Sequence, residues 1–419
     1  MTATPTANPA TRTRAGLPAT TTAPPTPRRR TGTPRSVRRL RRLQLAAVAL
    51  VLVFGALVVT ALAVSFNASS RAAESLAQYQ RLADARVQAL EVQQAANTWP
   101  LTPTDAVRSS VTDQLTNLAT TLADASAVDT DRDRIVPLTG ALVHYSMTLQ
   151  DALNAKGTAS ATLLAKADTQ LTDELLTPLT AAGVAAGDRV PTDLTSGWLP
   201  WAIGGFVVAG GGLAAVSVAL ARASHRYVNP GVALALVCTL ACVGVLAASA
   251  NSASNAATDF TQNSRAVLDV ATGAQQQLAQ ARADEILAVG LQSAGTSYQQ
   301  RWATASTAVG KAIAELPKST TATANLKAYG SAHDQVVAAI GKSQWDTASG
   351  LVTGASAKAF TSLEQSLNTI TANLRSPLTA SVKSVGEGVI AAIAGVLVFT
   401  LTGAGLAVWG VARRIEEYR

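Results

Sequence analysis

The fold is decided by Leu43–Phe66, LQLAAVALVLVFGALVVTALAVSF, and by the residues that follow it, NASSRAAESLAQYQRLADARVQALEVQQAANT (67–98). The first part has 24 residues and no charge, and about 20 mostly apolar residues suffice to cross a bilayer as a helix. From Ala56 to Thr98 there is neither Gly nor Pro, so nothing stops the helix where the apolar run ends. The pattern predicts one unbroken rod that leaves a membrane and becomes part of a helical bundle. At about 1.5 Å per residue, Ala56–Thr98 is roughly 64 Å long.

Three further stretches read like the first: Leu199–Ala221, Gly231–Ala250 and Val389–Ala412, again without a charged residue. They account for a composition with only 14% charged residues and a mean hydropathy of +0.22, where a soluble domain carries about 25%. Ala61-Leu62-Ala63 resembles a signal-peptidase site and Arg38-Arg39-Leu40 a twin-arginine signal. A signal core has only about 7–15 apolar residues, so the first stretch reads as an uncleaved anchor.

Lys and Arg in the flanks set orientation. Residues 1–42 hold ten Arg and no acid. Arg222 and Arg226 lie in the turn between the second and third stretches, and Arg413, Arg414 and Arg419 follow the fourth. With four spans these segments share one side, carrying 15 basic and 2 acidic residues. Both termini are therefore expected in the cytoplasm of a multi-pass plasma-membrane protein. Trp198 and Trp201 would sit at one interface, and Tyr227 and Trp409 at the other. The tail 1–42, with seven Pro and eleven Thr, reads as disordered. Its Arg38, Arg39, Arg41 and Arg42, with Arg222, Arg226, Arg413 and Arg414, are the candidate contacts to anionic headgroups or a partner.

The segments 67–197 and 251–387 then lie outside. Apolar residues recur in them at spacings of three and four, as in Leu138, Leu142, Tyr145, Leu149 and Leu153, or Leu363, Leu367, Ile370, Leu374 and Leu378. Pro100 and Pro103, Asp129–Asp133 and Lys156-Gly157 break the first segment. Gly290 and Gly295, Pro317 and Gly341 break the second, and Thr104 is a natural helix cap. Each segment reads as an up-down-up-down four-helix bundle. The expected fold is an all-α membrane protein with four transmembrane helices (43–66, 198–221, 231–250, 388–412) and two tandem extracytoplasmic bundles. Pro191, Gly197 and Pro200 are expected to interrupt the exit from the first bundle, and Gly386 and Gly388 to soften the return from the second. The halves look duplicated: Leu82–Arg86 (LADAR) resembles Leu278–Arg282 (LAQAR), and His144 and His333 fall in corresponding third helices.

Small residues at close-packing spacing mark possible helix contacts: Gly205/Ala209, Ala391/Gly395 and Gly403/Ala407. Cys238 and Cys242 read as packing residues, His144 and His333 as core or interface residues, and Arg86 and Arg282 as members of a solvated face. No glycine-rich phosphate loop, Ser/His/Asp set or zinc spacing occurs, so no enzyme, cofactor or metal is expected, and no nucleic-acid partner.

A bundle between two spans is the plan of bacterial sensory receptors, here doubled. From about residue 36 onward the chain resembles the actinobacterial GlnX-type membrane proteins. The likeness rests on the Arg-rich entry to the first span and on Pro137-Leu138-Thr139-Gly140 to His144-Tyr145, then Lys156-Gly157 and Glu174–Pro178. It continues with His333, Gly341–Ala348 and Phe360–Leu367, and with the ending Trp409-Gly410, Arg413–Arg419. The resemblance implies a relay between an extracytoplasmic solute-binding protein and the cytoplasmic kinase called protein kinase G, reporting aspartate or glutamate. It carries over no functional residue. A transport subunit and an envelope scaffold are the alternatives, which the neighbouring genes would separate.

The topology has a direct test. Cysteines placed at Thr158 and Thr320 should react with a membrane-impermeant thiol reagent on intact cells, and a C-terminal cysteine tag should not. Labelling of the tag alone inverts the orientation.

Overall fold

The computed structural model describes residues 35–195, 230–292 and 295–417, with scattered positions between 204 and 222. Most of the tail, the turn with Arg226 and Tyr227, Trp198, Trp201, the Gly205/Ala209 pair and much of the second apolar stretch lie outside these residues. The described residues are 94% helical and contain no strand.

The first helix, α1 (Arg35–Asn97), runs unbroken from the basic entry through the apolar stretch to its far tip. Then come α2 (Asp105–Ser126) and α3 (Arg132–Asn154). Next, α4 (Gly157–Gln170) passes through a π turn, Leu171–Leu176, into α5 (Thr177–Thr195). Thr104 caps α2 as expected, its side chain accepting from the Val107 N–H at 3.4 Å. The second half repeats the order. It has α6 (Pro230–Asp259), a π turn at Phe260–Ser264 and α7 (Arg265–Gly290). After these come α8 (Gly295–Glu315), α9 (Thr320–Gly341) and α10 (Trp345–Leu351). A third π turn, Val352–Ser356, leads into α11 (Ala357–Glu417). The fourth helical run of each half thus carries a π turn.

Three continuous runs are long and apolar enough to cross a membrane: Arg41–Asn97, Pro230–Gly290 and Trp345–Arg413. The described residues of the second stretch are helical too. Among the described residues, the exposed large apolar side chains lie in the four apolar stretches, with Val136, Val143, Met147 and Val184 the exceptions. An apolar surface at those levels suits hydrocarbon, not water.

Pro191, Gly386 and Gly388 do not interrupt their helices, while Gly197 and Pro200 lie outside the described residues. α5 continues through Pro191 to Thr195, and α11 runs through Pro377, Gly386 and Gly388 without a break. Packing overrides propensity here. Val190 and Leu194 are buried beside Pro191, and Leu378, Val382, Val385 and Val389 hold α11 against its neighbours.

The apolar stripes predicted from spacing form the core. Leu76, Leu82, Leu118, Leu122, Tyr145, Leu149, Leu164 and Leu179 bring α1–α5 together. Leu278, Val309, Ile313, Tyr329, Phe360 and Leu363 do the same for α7, α8, α9 and α11. Each fully buried Leu contributes about 2 kcal/mol. The halves are not separate beads, because the first core continues into Ala253, Ala257, Phe260 and Leu268 of α6–α7 and Leu378, Val382 and Val385 of α11.

Close packing of the apolar helices depends partly on the predicted small residues. Gly403 lies against Cys238 Cβ and Val51, and Ala407 is buried. Ala391/Gly395 does not pack: Ala391 is exposed, and nothing lies near the position a Gly395 Cβ would take. The tightest approach to another helix's backbone is at Gly231, where a Cβ would stand 2.5 Å from the Leu406 carbonyl oxygen and 2.8 Å from the Gly410 nitrogen. Gly231→Ala should therefore push α6 off α11 and lower the melting temperature in detergent by several degrees. Gly244→Ala, on the same helix with open space around it, should be neutral or stabilising by up to about 1 kcal/mol. Equal melting of the two variants would refute the backbone contact.

Candidate functional site

The basic residues named from sequence gather at one end. Gln44 Nε2 donates to the Val408 carbonyl at 3.2 Å, joining the start of α1 to the end of α11. Ala47, Val51, Val216, Val232 and Val411 form one apolar cluster there, which brings in α6 and the second stretch. Arg38, Arg41, Arg42, Arg222 and Arg413 are exposed, and Arg413 lies over the Trp409 ring. Arg39 and Arg414 are helical with side chains outside the described residues, and Arg226 lies outside them altogether. This end presents a cationic surface.

The far end holds charges that sequence reasoning placed in water. In α7, residues 281–289 are buried without exception. A helix wrapped on all sides must pair its charges internally. Arg282 is therefore not on a solvated face: its Nη1 donates to Glu285 Oε2 at 2.5 Å and its Nη2 to the Val352 carbonyl at 2.8 Å. Ser356 donates to Glu285 at 2.7 Å, and His333 Nδ1 lies 3.0 Å from Glu285 Oε1. The Tyr329 hydroxyl donates to the same carboxylate at 3.3 Å, and Trp302 stacks on the His333 ring. Burial alone would push the Glu285 carboxyl up, but His333, Arg282 and Ser356 together hold it below the usual range. Both Val352 and Ser356 belong to the π turn, a rare element that often occurs at functional sites. His144, its counterpart by sequence, is exposed on α3 and belongs to no core. The first half instead buries a neutral set, with Tyr145 donating to Gln93 Oε1 at 2.6 Å and Gln93 to Asn97 at 2.8 Å.

Between the halves runs a polar seam. Arg375 of α11 meets Asp84 of α1 at 2.5 Å, and Arg265 of α7 meets Asp188 of α5 at 2.6 Å. Arg301 Nε donates to the buried Asp284 at 2.9 Å, while its Nη2 lies 3.7 Å from Asp168 on α4. One arginine thus serves two carboxylates. Burial raises the Asp284 carboxyl to about 6 despite Arg301, and it raises Asp168 as well. Glu364 of α11 is pushed up to about 7, first by burial and then by Glu91 of α1. Among the described residues no cluster of His, Cys, Asp and Glu is arranged to hold a metal ion.

No family model, no curated protein and no solved structure matches the chain.

Little in the sequence pointed to these charges. Arg282 reads as part of a solvated face, nothing singles out Asp284 or Glu285, and only the all-round wrapping of α7 reveals the three. Raised carboxyls bind protons more strongly in the folded state than in the unfolded one. Between roughly pH 4 and 7 the folded chain therefore holds more protons, and stability falls as pH rises through that window. The helices beyond the apolar stretches should melt higher at pH 5 than at pH 7.5. Glu364→Gln should raise the melting temperature at pH 7.5 by roughly 2–4 °C and leave it unchanged at pH 5. An undiminished pH dependence in that variant would remove Glu364 as a source.

Proposed function

We propose that the chain is a non-enzymatic signal relay of the plasma membrane. It has four spans, two helical bundles outside, and both termini in the cytoplasm. An extracytoplasmic solute-binding protein carrying aspartate or glutamate would dock on the bundles. A kinase or adaptor would read the cationic inner end built by Arg38, Arg41, Arg42, Arg222 and Arg413, which also suits anionic headgroups. This reading rests on the resemblance to GlnX-type proteins and on the shape of the molecule.

The observation that carries it is α1. This helix reaches without interruption from the basic end to the tip of the first half, and along the way it packs on α5, α7 and α11. A shift between the halves would move α1 as one body. A docking partner can bias two packings by no more than its differential affinity for them. The unbroken α1 supports the relay reading because it supplies a mechanical link between the two ends.

Ser70 is exposed on α1 just beyond the apolar stretch, its hydroxyl donating to the Phe66 carbonyl at 3.1 Å. Ser70→Pro should kink the rod, at a cost of about 3 kcal/mol. The phosphorylation response of the cytoplasm to external glutamate or aspartate should be lost, with surface expression matched. Thr13→Pro in the tail should be silent. A Ser70→Pro protein that signals like its parent ends the rigid-relay mechanism.

A further inference from the structure

Where α1, α5 and α7 meet at the seam there is a cavity of about 230 Å³. It lies below the roughly 300–1,000 Å³ of sites for drug-sized ligands and takes only a small molecule. Its walls come from both halves. α1 contributes Tyr79 and Arg86, α5 contributes Thr180 and Val184, and α7 contributes Asp269 and Thr272.

Two opposite charges line this cavity without pairing. Arg86 donates from Nη2 to Gln276 Oε1, and its Nε is buried with no hydrogen-bond partner. Burial lowers its pKa, a sign of a cation short of compensation, although Asp269 and Tyr79 partly offset this. Asp269 accepts from the Tyr79 hydroxyl at 2.5 Å and is half exposed, with Arg265 at 3.7 Å. That arginine is committed more closely to Asp188, at 2.6 Å. No ion pair joins Arg86 to Asp269. Burial, and then the bond to Asp269, push the Tyr79 hydroxyl well above the usual tyrosine range, so it remains a donor at any working pH. Thr180 and Thr272 spend their hydroxyl protons on backbone carbonyls, at 2.7 Å and 3.0 Å. Their oxygens can therefore accept, and Val184 offers an apolar wall.

A guanidinium whose Nη1 makes no hydrogen bond, a carboxylate with spare acceptor capacity and hydroxyl acceptors beside them match a molecule with an anionic and a cationic end. We propose that the seam cavity binds a small zwitterion of the amino-acid type, its carboxylate on Arg86 and its ammonium on Asp269. This goes beyond the relay reading, in which a separate protein holds the ligand. The ligand would touch both halves at once and bridge two charges that do not pair with each other.

The test uses the purified full chain in lipid nanodiscs and reads ligand-induced shifts in melting temperature. It needs no phosphorylation readout, so the site stands or falls apart from the relay. Glycine, alanine, serine and glutamate are compared at about 10 mM with lactate, which lacks the ammonium, and isopropylamine, which lacks the carboxylate. At least one amino acid should raise the melting temperature while lactate and isopropylamine do not. Arg86→Gln and Asp269→Asn should each weaken binding roughly ten- to a hundredfold, the loss of one charge-assisted hydrogen bond. The proposal is overturned if none of the four amino acids shifts the parent, or if lactate or isopropylamine matches the best of them. It is also overturned if either variant melts cooperatively and binds like the parent. Should a variant fail to fold, the ligand comparison on the parent protein still decides.

Discussion

A backbone crossing hydrocarbon has to satisfy every N–H and C=O within its own helix. That constraint explains more of this chain than any single contact. A helix emerging from an apolar layer already has its ladder of hydrogen bonds formed, and continuing it costs less than ending it and nucleating another. Three runs obey this: α1, α6 with α7, and α11, each passing from an apolar stretch into the packed outer helices. The remaining helices, α2–α5 and α8–α10, fill in around rods whose direction is already set. The core bears this out, since Phe260, Leu268 and Leu378 from two of the rods complete the apolar cluster begun by Leu76 and Leu82 of the third.

Because the rods come from both halves and lie side by side, the molecule acquires a seam, and the seam has consequences for charge. α7 is caught between its own half and α4 of the other, so residues 281–289 lose all access to water. Arg282, Asp284 and Glu285 can persist there only through partners. Arg282 and Glu285 find them in one half, with each other, His333 and Ser356. Asp284 reaches Arg301, which also serves Asp168 across the seam. The acid surplus there, and at Glu91 and Glu364, is what makes the packing of the halves sensitive to protons.

The helices and their apolar faces were legible in the sequence because both depend on periodicity, and periodicity survives without knowledge of neighbours. Leu138, Leu142, Tyr145, Leu149 and Leu153 read as one stripe and are all buried. The cap at Thr104 was legible for the same local reason. What escaped depends on which helices touch. Gly231 could not be told from Gly395 by spacing, yet one meets backbone and the other open space. His333 and His144 looked equivalent, yet only His333 faces a carboxylate. Pro191 and Gly386 looked like breakers, but tertiary packing outweighs the local preference. At the basic end, Arg38, Arg41, Arg42, Arg222 and Arg413 are exposed, as a reading by charge alone expects of surface cations.

The two halves have solved one problem in two ways. Each carries a buried polar set on its first and third helices: neutral in the first half, with Gln93, Asn97 and Tyr145, and ionic in the second, with Arg282, Glu285 and His333. A neutral amide–phenol set costs little to bury once bonded. An ionic one costs several kcal/mol per ion, offset only while every partner stays in place. The second half is therefore the more exacting about its geometry, because a displacement of α9 or of the Val352–Ser356 turn would strand a charge in a dry core. The seam is the opposite kind of contact, with half-exposed partners such as Asp84 and Arg301 that can exchange a protein bond for water. Displacement between the halves is accordingly cheaper than displacement within the second one. In the relay reading, the seam is the joint, the ionic core keeps one moving part rigid, and α1 carries the motion to the basic end.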